Sequence, residues 1–322
     1  MNAKNALKWF GYFLAGFVVV FVLSVLGYNI VTGFGLRRYE KSLPNPKDGV
    51  PVSEAAPFSL TPEGESATEA VMFVHGFGDC PMDFAQLPQL VARDGYAVRA
   101  VLLAGHGTSP RELKHVTVQD HLSHLGDEYA RLAKSYDKVH LVGFSFGGTL
   151  STILAARAEK RPASLTLLAP CFEVSRRRSF LLSPESWAKT FGWMIPYVSK
   201  VEAFPPTNDP SMRGKVFSYR YVPTNSVVVL SEAEQVARNP ETLSRRSGPA
   251  LFIHSLDDRV ASFDASLKAY RQLATKPENK VFVELHRSNH LLMWDYEREI
   301  VRDRVCDFFG VSSKGPYARA ER

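Results

Sequence analysis

The chain has 322 residues, 45% of them hydrophobic, enough to bury one large core. Its formal net charge of +6 raises nucleic-acid binding, but the basic residues are scattered among acids and lack an aromatic-interleaved motif, so no nucleic-acid partner is expected. Three cysteines, Cys80, Cys171 and Cys306, form no disulfide framework, and neither an HExxH motif nor a zinc-spaced cysteine pair is present, so neither metal nor cofactor is expected.

From Trp9 to Leu36 there is no charged residue, and Phe10 to Ile30 is long enough to cross a hydrocarbon layer of about 30 Å. Residues 1–36 are predicted to be an uncleaved membrane anchor; a cleavable secretory signal is the competing reading, but the apolar stretch is too long and no AxA-like site ends it. Lys4 and Lys8 before the stretch and Arg37, Arg38, Lys41 and Lys47 after it pull both ways under the positive-inside rule, leaving the orientation open. Residues 37–57, with four prolines between Pro44 and Pro57, read as a semi-extended tether.

Strands and helices then alternate across residues 58–312, the pattern of one mostly parallel, doubly wound α/β sheet; residues 313–322 are a tail. A strand at Ala70–Val74 ends in His75-Gly76-Phe77-Gly78, a helix is predicted over Pro81–Arg93, and a strand over Ala97–Leu103 precedes Gly105-His106-Gly107. A helix over Val118–Ser135 leads to the strand Val139–Val142, the pentapeptide Gly143-Phe144-Ser145-Phe146-Gly147 and a helix to Arg161. About eighty residues separate the strand Ser164–Ala169 from the one beginning at Ala250, too many for an ordinary connection, so a cap is placed at about 171–248. Its Trp187, Phe191, Trp193, Met194, Ile195, Tyr197, Phe204, Tyr219 and Tyr221 suit either an acyl-chain pocket or the cap's own small core, and a helix at Val227–Ala237 ends it. Arg176-Arg177-Arg178 and Arg245-Arg246 read as solvated faces, with attraction of anionic lipid headgroups next to the anchor as the competing reading. The strands Gly248–His254 and Lys280–His286 run into Asp257-Asp258 and Arg287-Ser288-Asn289-His290, and a last helix spans Met293–Phe309.

A GxSxG between strand and helix is a nucleophile elbow, a tight turn that presents the serine hydroxyl above the sheet. Serine is a weak nucleophile and needs a histidine within reach and a carboxylate to orient it, following in the order acid then histidine. His290 on the last strand-to-helix loop fits the base. Asp257 and Asp258 both end the preceding strand, and Asp258 is favoured weakly on spacing. The amides of Phe77 and Phe146 are expected to form the oxyanion hole. His115, His121, His124, His140, His254 and His286 are expected to be non-catalytic.

These motifs, with Leu103-Ala104-Gly105-His106-Gly107-Thr108-Ser109-Pro110 and Gly148, resemble the α/β-hydrolase superfamily and, more narrowly, its bacterial carboxylesterase and monoacylglycerol lipase group, over roughly residues 55–312. The resemblance implies the acid at Asp258, five residues after the strand position matched by Ile253, and a serine hydrolase acting on carboxylic esters such as monoacylglycerols or lysolipids. Phe146 departs from the methionine frequent in these relatives, which leaves its backbone donor intact. Acyl transfer, amide cleavage and a silent hydrolase-fold binding protein are the alternatives.

Overall fold

Nine strands and ten α-helices are formed by the residues described in the computed structural model, 3–43, 51–62, 67–175, 184–200 and 206–312. In chain order they are α1 (Ala3–Ser42), β1 (Phe58–Leu60), β2 (Glu69–Val74), α2 (Leu87–Arg93), β3 (Ala97–Val101), α3 (Pro110–Leu113), α4 (Val118–Ser135), β4 (Lys138–Phe144), α5 (Phe146–Arg157), β5 (Leu165–Leu168), α6 (Pro184–Phe191), β6 (Tyr197–Ser199), β7 (Tyr221–Pro223), α7 (Thr224–Ala237), α8 (Pro240–Ser244), β8 (Ala250–Ser255), α9 (Phe263–Gln272), β9 (Lys280–Leu285) and α10 (Arg298–Phe309). The main sheet runs β1-β3-β2-β4-β5-β8-β9; every pair is parallel except β1 with β3. The α/β doubly wound sheet expected from alternating apolar runs is therefore the fold observed.

The central strands are apolar on both faces because helices cover both. One core joins Met72, Val74, Leu141, Leu165 and Phe252 to α4, α5 and α7. The opposite core joins Val71, Phe73, Val142, Leu251 and Ile253 to α2 and α10. Thr117 and Asp120 start α4 with a reciprocal capping box, which fixes its first turn where the sequence places it. The expected helix at Pro81–Arg93 is broken into a 3-10 turn, Pro81–Phe84, and α2, because Ala85 between them takes a positive φ of 46°. The last helix likewise starts at Arg298 rather than Met293.

The insertion between β5 and β8 contains α6, the two-stranded β6-β7 sheet, α7 and α8. Its aromatic residues divide by surroundings. Tyr219 is fully buried, donating to the carbonyl of Gly105 and accepting from the amide of Thr108, and so braces a loop. Trp193 faces outward at 80% exposure, whereas Phe204 and Arg176-Arg177-Arg178 lie outside the described residues. Arg246, expected on a solvated face, is 2% exposed, and its guanidinium donates to the carbonyls of Pro162 and Pro249.

The helix α1 is a single apolar element long enough to cross a membrane, and it continues past Leu36 to Ser42. The expected tether therefore begins as helix, with Leu36 and Leu43 buried against the domain, and Val52 and Ala55 beyond it pack with Cys80. Residues 44–50 and 313–322, expected as tether and tail, lie outside the described residues.

The cap helix α7 buries Glu234, whose carboxylate accepts from the Cys171 thiol at 3.1 Å. Burial pushes the Glu234 carboxyl up to about 7, more than the Cys171 bond and the Arg238 charge bring it down. A raised folded pKa gives stability that is complete below the unfolded value near 4.5 and is lost as pH rises through about 7. Thermal unfolding in detergent is thus expected to show stability falling between about pH 4.5 and 8, by a few kcal/mol at most. Glu234→Gln should flatten that slope, and an unchanged slope would contradict a buried neutral carboxyl.

Candidate active site

Ser145 occupies the turn between β4 and α5 with φ 52° and ψ −119°, a conformation disfavoured for any residue with a Cβ. Four backbone hydrogen bonds hold it there. Its amide donates to Leu168 at 2.9 Å, and its carbonyl accepts from Gly148 at 2.9 Å, Thr149 at 3.2 Å and Cys171 at 3.1 Å. The flanking glycines are required by space: a Cβ at Gly143 would lie 2.7 Å from the carbonyl of Gly147, and one at Gly147 would collide with the carbonyl of Val74.

The carboxyl ends of β8 and β9 bring two further side chains to this turn. Nε2 of His290 lies 2.8 Å from Ser145 Oγ, and its Nδ1 lies 2.8 Å from Oδ2 of Asp258. Ser145, Asp258 and His290 are all buried. This chain of contacts assigns the proton of neutral His290 to Nδ1, leaving Nε2 to accept from the serine hydroxyl. Burial raises the Asp258 pKa, but the His290 charge and the hydrogen bonds from His254 and His290 outweigh it and hold the carboxyl well below its ordinary range. Asp257 sits apart, accepting from Asn208 at 2.8 Å and from Arg259 at 3.1 Å.

His254, expected to be non-catalytic, and several neighbouring groups hold these three in place. Oδ1 of Asp258 accepts from the amides of Val260 and Ala261 at 2.8 and 2.9 Å, while Oδ2 is shared with Nε2 of His254 at 3.1 Å. His254 is fully buried and its Nδ1 lies 2.8 Å from the hydroxyl of Ser266. Past His290, the carboxylate of Glu297 accepts from the amides of His286, Arg287 and Ser288, and that of Asp295 from Asn289 and Asn208, so that two acids fold the last loop around themselves. Both lie within seven residues of His290, but nothing in their spacing announces a role of this kind.

Phe77 and Phe146 lie beside each other, their rings in edge-to-face contact at 5.8 Å. Neither amide donates to a protein acceptor among the described residues. The turn carrying Phe77 is fixed by two buried histidines. His75 donates through Nδ1 to Gly76 and accepts from the amide of Leu103, and His106 donates through Nδ1 to Ala104 and accepts from the amide of Gly78. Burial lowers both to about 3, so each stays neutral and its two bonds persist across the physiological range. The Gly105-His106-Gly107 loop is thus a brace for the Phe77 turn. His121, packed on the Phe146 ring, is also pushed down to about 3 by burial.

Known proteins give this arrangement its context. The chain is 26% identical to the thermostable monoacylglycerol lipase of Bacillus sp. (strain H-257) over 80% of its own length and 95% of that enzyme's. It is 21% identical to a carboxylesterase of Bacillus subtilis (strain 168), covering 74% of this chain and 92% of that one. A metagenome-derived lipolytic enzyme superposes with a TM-score of 0.70 at 21% identity, over 80% of this chain and 98% of that one. The monoacylglycerol lipase of Paleococcus ferrophilus superposes at 0.64 with 20% identity, over 79% and 98% of the two chains. Residues 71–303, which include every residue of the site just described, match the Alpha/beta hydrolase family, and the chain belongs to that family.

Proposed function

We propose that this hydrolase cleaves the carboxylic esters of monoacylglycerols or lysolipids at a membrane surface, with Ser145 as nucleophile. The coarse part of that reading, a carboxylic-ester hydrolase of the esterase and lipase kind, follows from the family and from two enzyme relatives aligned over most of their length. The finer part rests on one observation, the continuous 2.8 Å contacts from Ser145 through His290 to Asp258 at a strained elbow. His290 takes the serine proton through Nε2 as Oγ attacks the ester carbonyl, Asp258 stabilises the imidazolium, and the amides of Phe77 and Phe146 receive the oxyanion. His290 then returns the proton to the departing alcohol, and water, deprotonated by the same imidazole, releases the acid from Ser145. No cofactor enters this sequence. The helix α1 anchors the enzyme in the membrane where acyl esters of this kind reside.

Replacing Ser145→Ala should lower kcat on p-nitrophenyl butyrate and on a monoacylglycerol by roughly 10⁵-fold, with little change in KM or circular dichroism. Retention of more than about a hundredth of the activity would contradict the assignment. Asp258→Asn is expected to lower kcat by about 10⁴-fold, because the amide favours the wrong imidazole tautomer. Asp257→Asn, remote from His290, should stay within about threefold of the parent. Equal losses in the two variants would remove Asp258 from the role.

A further inference from the structure

We propose that the cap turn Gly192–Ile195, carrying Trp193, rests in the headgroup region of the bilayer that α1 crosses, so that the enzyme is held to the lipid surface at two points rather than one. The inference rests on the reading of α1 as a membrane span.

Length places the turn. A helix rises about 1.5 Å per residue, so about twenty residues cross a hydrocarbon layer of about 30 Å. Counted from Trp9, the first residue of the uncharged run, the apolar layer ends close to Tyr28 and Asn29. At that level α1 meets the cap: the side-chain amide of Asn29 donates to the carbonyl of Met194 at 2.7 Å. Asn29 is the only carboxamide in that run, and a primary amide is costly to leave unpaired near hydrocarbon.

Beyond Asn29 the helix is clamped to the domain instead of hanging free. Thr32 and Leu36 are buried, Gly35 lies against the Tyr221 ring so closely that a Cβ there would strike its hydroxyl, and the Tyr39 hydroxyl donates to Ser218. Glu40 accepts from the Arg111 guanidinium at 2.9 Å and from the Ser109 hydroxyl at 2.6 Å. These contacts run from Thr32 to Glu40 and fix its tilt against β6 and β7. With the helix fixed, the height of the 192–195 turn is fixed with it.

Trp193 immediately precedes the residue that Asn29 binds and is 80% exposed. Among the described residues outside α1, the other exposed large hydrophobic side chains reach only 38–48%. An indole has an apolar body and one N–H donor, and the headgroup boundary of a bilayer satisfies both. Arg37 and Arg38, exposed about two turns beyond Asn29, lie within reach of anionic phosphates on the same side. The end of the apolar run and the outward tryptophan therefore lie at one level, with the basic pair about 12 Å further from the hydrocarbon.

The full-length protein in vesicles of phosphatidylcholine and phosphatidylglycerol tests this by nitroxide quenching of a fluorophore on a single introduced cysteine. Cys80, Cys171 and Cys306 are buried, so unsubstituted protein gives the labelling background. Three sites are compared: Trp193→Cys in the turn, Val19→Cys within the span, and Glu278→Cys, an exposed residue on the short turn before β9. The expected result is strong quenching at 193 by lipid labelled near the headgroup, quenching at 19 by lipid labelled deep in the chains, and none at 278. Quenching at 19 but no more at 193 than at 278 would overturn the second contact while leaving the span intact. No quenching at 19 would remove the span and this inference with it. Trp193 packs against little, so its replacement leaves the fold in place. In parallel, Trp193→Ala should lower hydrolysis of vesicle-embedded monoacylglycerol severalfold, with turnover of a dissolved short-chain ester unchanged; equal rates on embedded substrate would contradict the proposal.

Discussion

The backbone of Ser145 is the constraint on which the site depends. A residue with a Cβ at φ 52° persists only when its surroundings over-determine it, and here four backbone hydrogen bonds from β5, the loop after it and α5 do so. The conformation turns the chain sharply from β4 into α5, exposes Oγ above the sheet and leaves the next amide, that of Phe146, unpaired among the described residues. Gly143 and Gly147 admit the turn because their missing side chains would occupy space already held by backbone. The strain at one residue is thus the local cost of presenting the Ser145 hydroxyl and the Phe146 amide together.

Around that turn most of the polar side chains are held by several partners at once. Asp258 spends one oxygen on two amides and shares the other between His290 and His254, so its position is set from four directions. The loop bearing His290 is gathered by Asp295 and Glu297, and the loop bearing Phe77 by His75 and His106. A preorganised site needs this kind of support, because a catalytic contact misplaced by about 1 Å costs orders of magnitude in rate.

The sheet and its order of elements were legible because buried parallel strands read as apolar runs and the elbow has a narrow set of permitted residues. The meeting of Ser145 and His290 was legible for the same reason, their types, order and placement at strand ends being demanded at once, whereas Asp258 was only weakly preferred to Asp257 on spacing and came forward through the family resemblance. What stayed hidden depends on contacts between distant segments. His254 looked like any histidine within a strand, yet it reaches the same oxygen as His290; Arg246 looked solvated, yet its guanidinium is buried against the carbonyls of Pro162 and Pro249. Tyr219 and Trp193 carried the same apolar signal in the cap, but one braces the 105–108 loop and the other faces outward, a division that no local pattern encodes. The apolar helix was legible to Leu36, while its continuation to Ser42 follows from docking against β6 and β7 rather than from hydropathy.

The most direct measurement is the mass and location of a covalent adduct after treatment of the enzyme with a fluorophosphonate, read by peptide mass spectrometry on the native chain and on His290→Ala. The account predicts a single phosphonyl adduct on the peptide containing Ser145, formed rapidly by the native enzyme and far more slowly once the imidazole is gone. An adduct on any other residue, or labelling of Ser145 at an undiminished rate without His290, would contradict it.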